Sequence, residues 1–223
     1  MAQTHRLELV SFELCPYVER SRIALTEKGL AHDVRFIDLR HKPDWFLALS
    51  PMGKVPVLLV DGKPIFESLV INELIEELYP TPPLLPKDPL ARAEARAWMI
   101  FANDQLMPQG SKAQQAMAVG PLARDAELLA PVRAAFAQLE AQLGRRTGRF
   151  FLGDAFGLVD AAYAPFLRRW RAAEGWGGPA LLAEYPRLAA YAEALLAQPS
   201  VVKVAVPDLA PRLRAFYAER AAR

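Results

Sequence analysis

The chain is poor in cysteine: Cys15 is the only one among its 223 residues. A single cysteine excludes an intrachain disulfide framework and is typical of a reducing compartment, so we expect a cytoplasmic location. No apolar run reaches the ~20 residues that a membrane span needs, and no signal peptide is recognisable at the start. The net charge of +2 is too small to indicate nucleic acid or an anionic membrane as a partner. The three histidines have no metal-ligand spacing, and we expect no metal site.

Cys15 lies between a predicted strand and a predicted helix. Residues 6–12 alternate polar and apolar side chains, as a half-buried strand does, and residues 16–28 carry apolar side chains at helical spacing. Pro16 suits the first position of that helix, which places Cys15 at the N-cap. The free N–H groups and the helix dipole there favour a thiolate over a thiol. We therefore interpret Cys15 as a nucleophile, although a free cysteine is often a small buried residue.

Val18 stands where a dithiol redox site, Cys-x-x-Cys, has its second cysteine. Cys15 therefore has no intramolecular partner with which to form a disulfide. It must either use a second thiol from solution or attack an electrophile directly. The sequence thus implies a small thiol as co-substrate.

The strand and helix signals change near residue 80, which predicts two domains. Residues 1–80 alternate strands and helices in the order βαβ and then ββα, which predicts an α/β domain. Residues 81–89 are rich in proline and predict a stiff linker. Strand signals are missing from residues 90–223, where patterns rich in Ala and Leu predict an all-helical domain. The predicted helices of that domain cover residues 90–120, 122–143, 158–174, 185–197 and 210–222.

The apolar pattern of residues 55–60 predicts a strand, and Pro56 follows Val55 inside it. A strand tolerates proline only at an end, at an edge or at a bulge. A cis peptide bond would turn the N–H and C=O of Val55 outward, where they could pair with a peptide-like ligand. We predict that this bond is cis, and a trans proline on an edge strand is the alternative.

Glu67 and Ser68 stand at a strand-to-helix junction. In the simplest interpretation, Ser68 is an ordinary N-cap beside a solvated glutamate. In the functional one, the helix N-terminus and the Ser68 hydroxyl bind a carboxylate while Glu67 binds an ammonium, as an α-amino acid group would require. Lys42 precedes Pro43 at the start of a short helix. It is a surface lysine unless a second carboxylate needs a partner nearby.

These residues together resemble the soluble glutathione transferases, most closely the omega class and its bacterial relatives. The motifs that carry the resemblance are Cys15-Pro16-Tyr17, Lys42-Pro43-Asp44-Trp45, Val55-Pro56-Val57-Leu58 and Glu67-Ser68. The resemblance implies a thioredoxin-like α/β N-terminal domain plus an all-α C-terminal domain. It also implies glutathione, γ-Glu-Cys-Gly, as the second thiol, and a homodimer as the assembly.

The resemblance further implies a role for each candidate. Cys15 would face the glutathione sulfur, and the Val55 backbone before a cis Pro56 would pair with the cysteinyl unit. Glu67 and Ser68 would hold the γ-glutamyl zwitterion, and Lys42 would meet the glycine carboxylate. The candidates for the acceptor pocket are Tyr17, Met107, Phe166 and Trp170.

We therefore expect a cysteine-type glutathione transferase that performs thiol transfer or dehydroascorbate reduction through a mixed disulfide on Cys15. Its second substrate would be a disulfide or another electrophile. Conjugation of glutathione to an aromatic halide fits less well, because it usually needs Tyr or Ser where this chain has Cys15. The alternative is a noncatalytic interaction protein that resembles the stringent starvation protein A. The presence of Cys15 together with Lys42, Pro56, Glu67 and Ser68 favours the enzyme.

In the predicted helical domain, Gly157 precedes a helix and Asp160 stands three residues later. Glycine is an acceptable N-cap, and the Asp160 carboxylate can accept a hydrogen bond from the backbone at the cap. We expect Asp160 to serve folding rather than catalysis.

Overall fold

The structure is a computed structural model that describes residues 5–120 and 126–222. It divides into two compact units, one that extends to Leu85 and one that begins at Pro86. That boundary lies inside the proline-rich segment 81–89. The first unit combines a sheet with helices and the second is helical, so the predicted fold class is confirmed.

The first unit is built on a four-stranded mixed sheet with the order β2-β1-β3-β4. Its elements are β1 (Leu7–Ser11), α1 (Pro16–Glu27), β2 (Asp33–Phe36), α2 (Asp44–Leu49), β3 (Val57–Val60), β4 (Lys63–Phe66) and α3 (Ser68–Leu78). Strand β1 runs parallel to β2 and antiparallel to β3, and β3 and β4 form an antiparallel hairpin. This is the thioredoxin-like arrangement that the resemblance implies.

The core of this unit joins the sheet to α1 and α3. It contains Leu9, Val10, Val18, Leu25, Val57, Leu58, Ile71 and Ile75, all almost fully buried. Both helices therefore pack against the sheet. Because Cys15 precedes α1 and Ser68 begins α3, this packing fixes the position of the helix N-termini at which these two candidate residues lie.

The second unit is all-helical in the part of the chain that the structure describes. Its α-helices are α4 (Pro89–Phe101), α5 (Met107–Val119), α6 (Ala126–Leu143), α7 (Leu158–Glu174), α8 (Pro186–Ala197), α9 (Pro199–Lys203) and α10 (Leu209–Ala221). A 3-10 turn covers Leu181–Glu184. The predicted start of the second helix at Leu122 lies outside the described residues.

A π-helical turn, Ala102–Leu106, joins α4 to α5 just before Pro108. The N–H of Met107 bonds to the carbonyl of Ala102, five residues earlier. Pro108 has no N–H to continue the ordinary ladder, and a widened turn accommodates this loss without ending the helix. The long predicted helix 90–120 is therefore two α-helices joined by a π turn.

Asp160 organises the start of α7, the most deeply buried helix of the second unit. Its carboxylate accepts hydrogen bonds from the backbone N–H groups of Gly157 (2.8 Å) and Phe151 (2.9 Å) and from the Tyr191 hydroxyl (2.7 Å). Complete burial nevertheless raises the pKa of Asp160 to about 6, because the charged form loses its hydration there. The predicted capping bond from Gly157 is confirmed.

Candidate active site

Cys15 occupies the N-cap of α1, as the sequence predicts. Its backbone is extended, with φ −78° and ψ 117°, and Pro16 is the first helical residue. The Cys15 N–H donates to the carbonyl of Phe12, and its own carbonyl accepts from the N–H of Glu19. These two bonds fix the turn between β1 and α1. The partly exposed thiol therefore stands at the positive end of a helix dipole, which favours its ionised form.

Val18 is 2% exposed and packs in the core of the first unit. The position of a second redox cysteine is thus occupied by a buried apolar side chain. Any disulfide on Cys15 must involve a second molecule, since the chain has no other cysteine.

Val55 lies directly opposite Cys15. The thiol sulfur is 3.9 Å from the Val55 carbonyl oxygen. The Val55–Pro56 peptide bond is cis, as predicted. Strand β3 begins at Val57 rather than at Val55, so Val55 precedes the ladders that pair β3 with β1 and β4.

The loop before Val55 is held by Ser50. Its hydroxyl donates to the carbonyl of Lys54 and accepts from the N–H of Lys54, both at 2.9 Å. Lys42 lies over this loop: a Cβ atom added to Gly53 would be 3.3 Å from the Lys42 ammonium nitrogen. The structure thus places the Lys42 cation beside Gly53, which is two residues before Val55.

Glu67 has a backbone conformation that few residues other than glycine adopt, with φ +65° and ψ 110°. Such conformations cost on the order of 1–3 kcal/mol and are concentrated at functional sites. This geometry presents the exposed Glu67 side chain immediately before the first residue of α3. It could not be predicted from the sequence, because glutamate gives no signal for positive φ.

Ser68 begins α3 and is 2% exposed. Its hydroxyl oxygen accepts a hydrogen bond of 2.8 Å from Nε of Arg20, a residue of α1 that is itself 1% exposed. Sequence reasoning missed Arg20. Arg20 shares a helical face with Ala24 and Lys28, which places it on α1 but does not indicate a bond to Ser68.

Tyr17 is half-buried in the first turn of α1, and its ring faces Arg20. The candidates Met107, Phe166 and Trp170 are almost completely buried within the helical unit. The rings of Phe166 and Trp170 stack on one another, with centroids 5.8 Å apart. The expectation that these three residues line an acceptor pocket gains no support from that placement, since core packing accounts for them.

The site therefore has a thiol at a helix N-terminus, an opposed backbone carbonyl, a nearby cation and an acidic residue beside a buried hydroxyl. These groups offer complementary partners for a peptide-like thiol with carboxylates at both ends. Within residues 5–120 and 126–222, no group of three or more His, Cys, Asp or Glu residues is arranged to hold a metal ion. Over the same ranges, no helix is long and apolar enough to cross a membrane.

Comparison with known proteins agrees with this geometry. A family model for the N-terminal domain of glutathione S-transferases matches residues 14–78, and one for the C-terminal domain matches residues 113–194. A probable glutathione S-transferase of Oryza sativa subsp. japonica, GSTU1, is 37% identical over 215 residues, with 91% of this chain and 90% of the relative covered. A glutathione S-transferase of Arabidopsis thaliana, U22, is 34% identical, with 87% and 88% covered.

Solved structures give the same result. Rice GST1 in complex with glutathione has a TM-score of 0.84 at 33% identity, with 98% of this chain and 97% of that chain covered. The Tau class enzyme of mango, Mangifera indica, has a TM-score of 0.84 at 30% identity, with 96% and 99% covered. Glutathione transferase Omega 3C of Trametes versicolor has a TM-score of 0.77 at 32% identity, with 93% and 92% covered.

This chain therefore belongs to the glutathione S-transferase family, and glutathione is its co-substrate. The similar structures include both Tau and Omega members, so the comparisons do not single out the omega class.

Proposed function

We propose that the protein is a cysteine-type, omega-like glutathione transferase that transfers thiols through a mixed disulfide on Cys15. The observation that carries the proposal is the position of the thiol at the N-cap of α1, 3.9 Å from the Val55 carbonyl. A cysteinyl unit paired with the Val55 backbone would have its sulfur beside Cys15.

The proposed cycle has two exchange steps. The Cys15 thiolate attacks the glutathionyl sulfur of a mixed disulfide, a Cys15–glutathione disulfide forms, and the released thiolate takes a proton from water. A second glutathione thiolate then attacks the glutathionyl sulfur of this adduct. That step releases glutathione disulfide and regenerates the Cys15 thiolate, so each mixed disulfide is reduced to its free thiol at the expense of one added glutathione. Reduction of dehydroascorbate takes two electrons and therefore oxidises two glutathione molecules to one glutathione disulfide.

In this proposal the remaining candidates bind the ends of glutathione. Glu67 meets the γ-glutamyl ammonium, and Ser68 with the N-terminus of α3 meets the adjacent carboxylate. Lys42 meets the glycine carboxylate. Charge complementarity and the proximity of Lys42 to the Val55 loop support these roles.

Conjugation of glutathione to an electrophile is the second candidate function, because it is the reaction for which the family is named. A conjugating enzyme needs a donor that stabilises the thiolate of bound glutathione, and a Cys15 thiolate would repel it. The noncatalytic alternative is not favoured, since a binding protein does not require a cysteine at this position.

Two variants of Cys15 separate these functions. Cys15→Ala should abolish thiol transfer from glutathione to a small disulfide while its circular dichroism spectrum stays unchanged. Cys15→Ser should also lose thiol transfer but gain weak conjugation, because a hydroxyl can donate to a bound thiolate. Undiminished thiol transfer by either folded variant would overturn the proposal.

Glu67 and Ser68 form the proposed clamp for the γ-glutamyl group, and Glu67→Gln tests it. Removal of one partner of a buried charge pair costs roughly 2–5 kcal/mol, and an exposed Glu67 should lie at or below the low end. Calorimetric titration should therefore show weaker binding of glutathione but little change for free cysteine, which lacks the γ-glutamyl group. If the wild type and Glu67→Gln bind glutathione with equal affinity, Glu67 is a solvated surface residue and not part of the binding site.

We also propose a homodimer in the cytoplasm, with the N-terminal domain of one chain against the helices of the other. A specific interface should bury well over ~1,000 Å². Light scattering at micromolar concentration tests the assembly, and a monomeric mass would contradict it.

A further inference from the structure

Tyr17 belongs to a chain of contacts that ends at Ser68. The guanidinium carbon of Arg20 lies 4.9 Å from the centroid of the Tyr17 ring, which is cation–π geometry. Nε of the same guanidinium donates to the Ser68 hydroxyl oxygen at 2.8 Å. Arg20 is 1% exposed and Ser68 is 2% exposed. Arg20 is thus a buried cation between an aromatic face and a serine.

A buried guanidinium requires compensation for its lost hydration. The negative face of the Tyr17 ring supplies part of it, and the attraction strengthens where water is excluded. Because the guanidinium is planar, packing of the ring against it also restricts the directions of its N–H groups. The ring therefore helps to determine where Nε points.

The direction of Nε matters because arginine has donors and no acceptor. Ser68 must act as the acceptor in this bond, so its own hydrogen is left to donate to a different group. A hydroxyl that accepts from a cation also becomes a stronger donor, since the hydrogen bonds polarise one another. The carboxylate of a ligand at the N-terminus of α3 would receive this hydrogen.

We propose that Tyr17 is a positioning residue for glutathione, which acts through Arg20 on the Ser68 hydroxyl, and that it does not select the acceptor. This inference rests on the proposed function, because it assumes that Ser68 binds the γ-glutamyl carboxylate. It replaces the expectation that Tyr17 lines the acceptor pocket.

The test compares Tyr17→Leu with Tyr17→Phe in steady-state thiol transfer, with glutathione and the disulfide substrate varied separately. Tyr17→Leu removes the aromatic face and should raise the KM for glutathione about tenfold, while the KM for the disulfide changes less than about twofold. Tyr17→Phe retains the face, removes only the hydroxyl and should match the wild type. A change confined to the KM of the disulfide, or equal losses in both variants, would overturn the inference.

A second comparison separates failure of this inference from failure of the proposed function. Ser68→Ala should weaken glutathione binding in calorimetric titration, and Tyr17→Leu should add little to that loss in the double variant. If Ser68→Ala has no effect, the proposed clamp fails and the inference fails with it. If Ser68→Ala weakens binding but Tyr17→Leu does not, only the inference fails. Should Tyr17→Leu not fold, Tyr17→Met replaces it, because an unbranched apolar chain adapts to irregular packing.

Discussion

The first prediction concerns Glu76, which fixes the end of the first unit. Its carboxylate forms an ion pair with the ammonium of Lys28 at 2.5 Å and accepts from the backbone N–H groups of Leu84 and Leu85. Lys28 also donates to the carbonyl of Pro82. The ion pair thus joins α1 and α3 to the segment that leads out of the unit. We predict that Glu76→Gln strongly lowers the free energy of unfolding.

The magnitude follows from the unequal burial of the two partners. The Lys28 side chain is 0% exposed and that of Glu76 is 12% exposed. Glutamine keeps one oxygen that can accept from Leu84, but it leaves the Lys28 charge buried without its counterion. Breaking a buried pair from one side costs roughly 3–5 kcal/mol, and the partial exposure of Glu76 places the expected loss near ~3 kcal/mol.

Urea denaturation followed by circular dichroism measures the effect, with Glu77→Gln as the matched control. Glu77 stands next to Glu76 on α3 but is exposed, so the same chemical change there should stay within about 0.5 kcal/mol of the wild type. The double variant Lys28→Met/Glu76→Gln removes both charges and should recover most of the loss. If Glu76→Gln behaves like Glu77→Gln, the ion pair contributes nothing and the reasoning is refuted.

Three further predictions concern buried positions and use the same denaturation assay. Gly110→Ala should destabilise the protein by about 1–3 kcal/mol, because the new Cβ would lie 2.1 Å from the Phe166 ring. This loss should appear even though alanine is the better helix former. An unchanged midpoint of urea denaturation would contradict it. Burial raises the pKa of Asp160 from its ordinary 3.8 to about 6, so the folded protein holds this proton more tightly than the unfolded chain. The resulting stabilisation is present at low pH and is lost as the pH rises through about 6. Relative to Asp160→Asn, the wild type should lose about 1 kcal/mol between about pH 5 and pH 7, and parallel pH profiles would refute the assignment. Neither amide atom of the fully buried Asn72 has a hydrogen-bond partner among the described residues, so Asn72→Leu should be neutral or stabilising, and a loss above ~1 kcal/mol would disprove that.

The parts of the site that local sequence encodes could be predicted. Cys15, Pro16 and the following helix form one continuous signal, because capping and helix periodicity involve neighbouring residues. The junction at Glu67 and Ser68 is local in the same sense. The cis bond before Pro56 was predicted from a proline that otherwise conflicts with a strand pattern.

The parts that depend on tertiary contacts could not be predicted. The bond from Arg20 to Ser68 joins residues 48 positions apart, and no local pattern indicates it. Trp170 is an aromatic residue at helical spacing, which suits a pocket wall and a core equally well until its packing against Phe166 is known. Strand β3 began two residues later than predicted, since Pro56 has no N–H to offer to a ladder.

The central claim is that Cys15 carries the glutathionyl group during turnover, and intact-protein mass spectrometry tests it directly. After incubation with glutathione disulfide and removal of the excess, the mass should increase by one glutathionyl group, and peptide mapping should place it on Cys15. Addition of reduced glutathione should then restore the original mass and release glutathione disulfide. Cys15→Ala is the control and should remain unmodified. Wild-type protein that takes up no glutathionyl group, or an adduct that glutathione does not remove, would contradict the account.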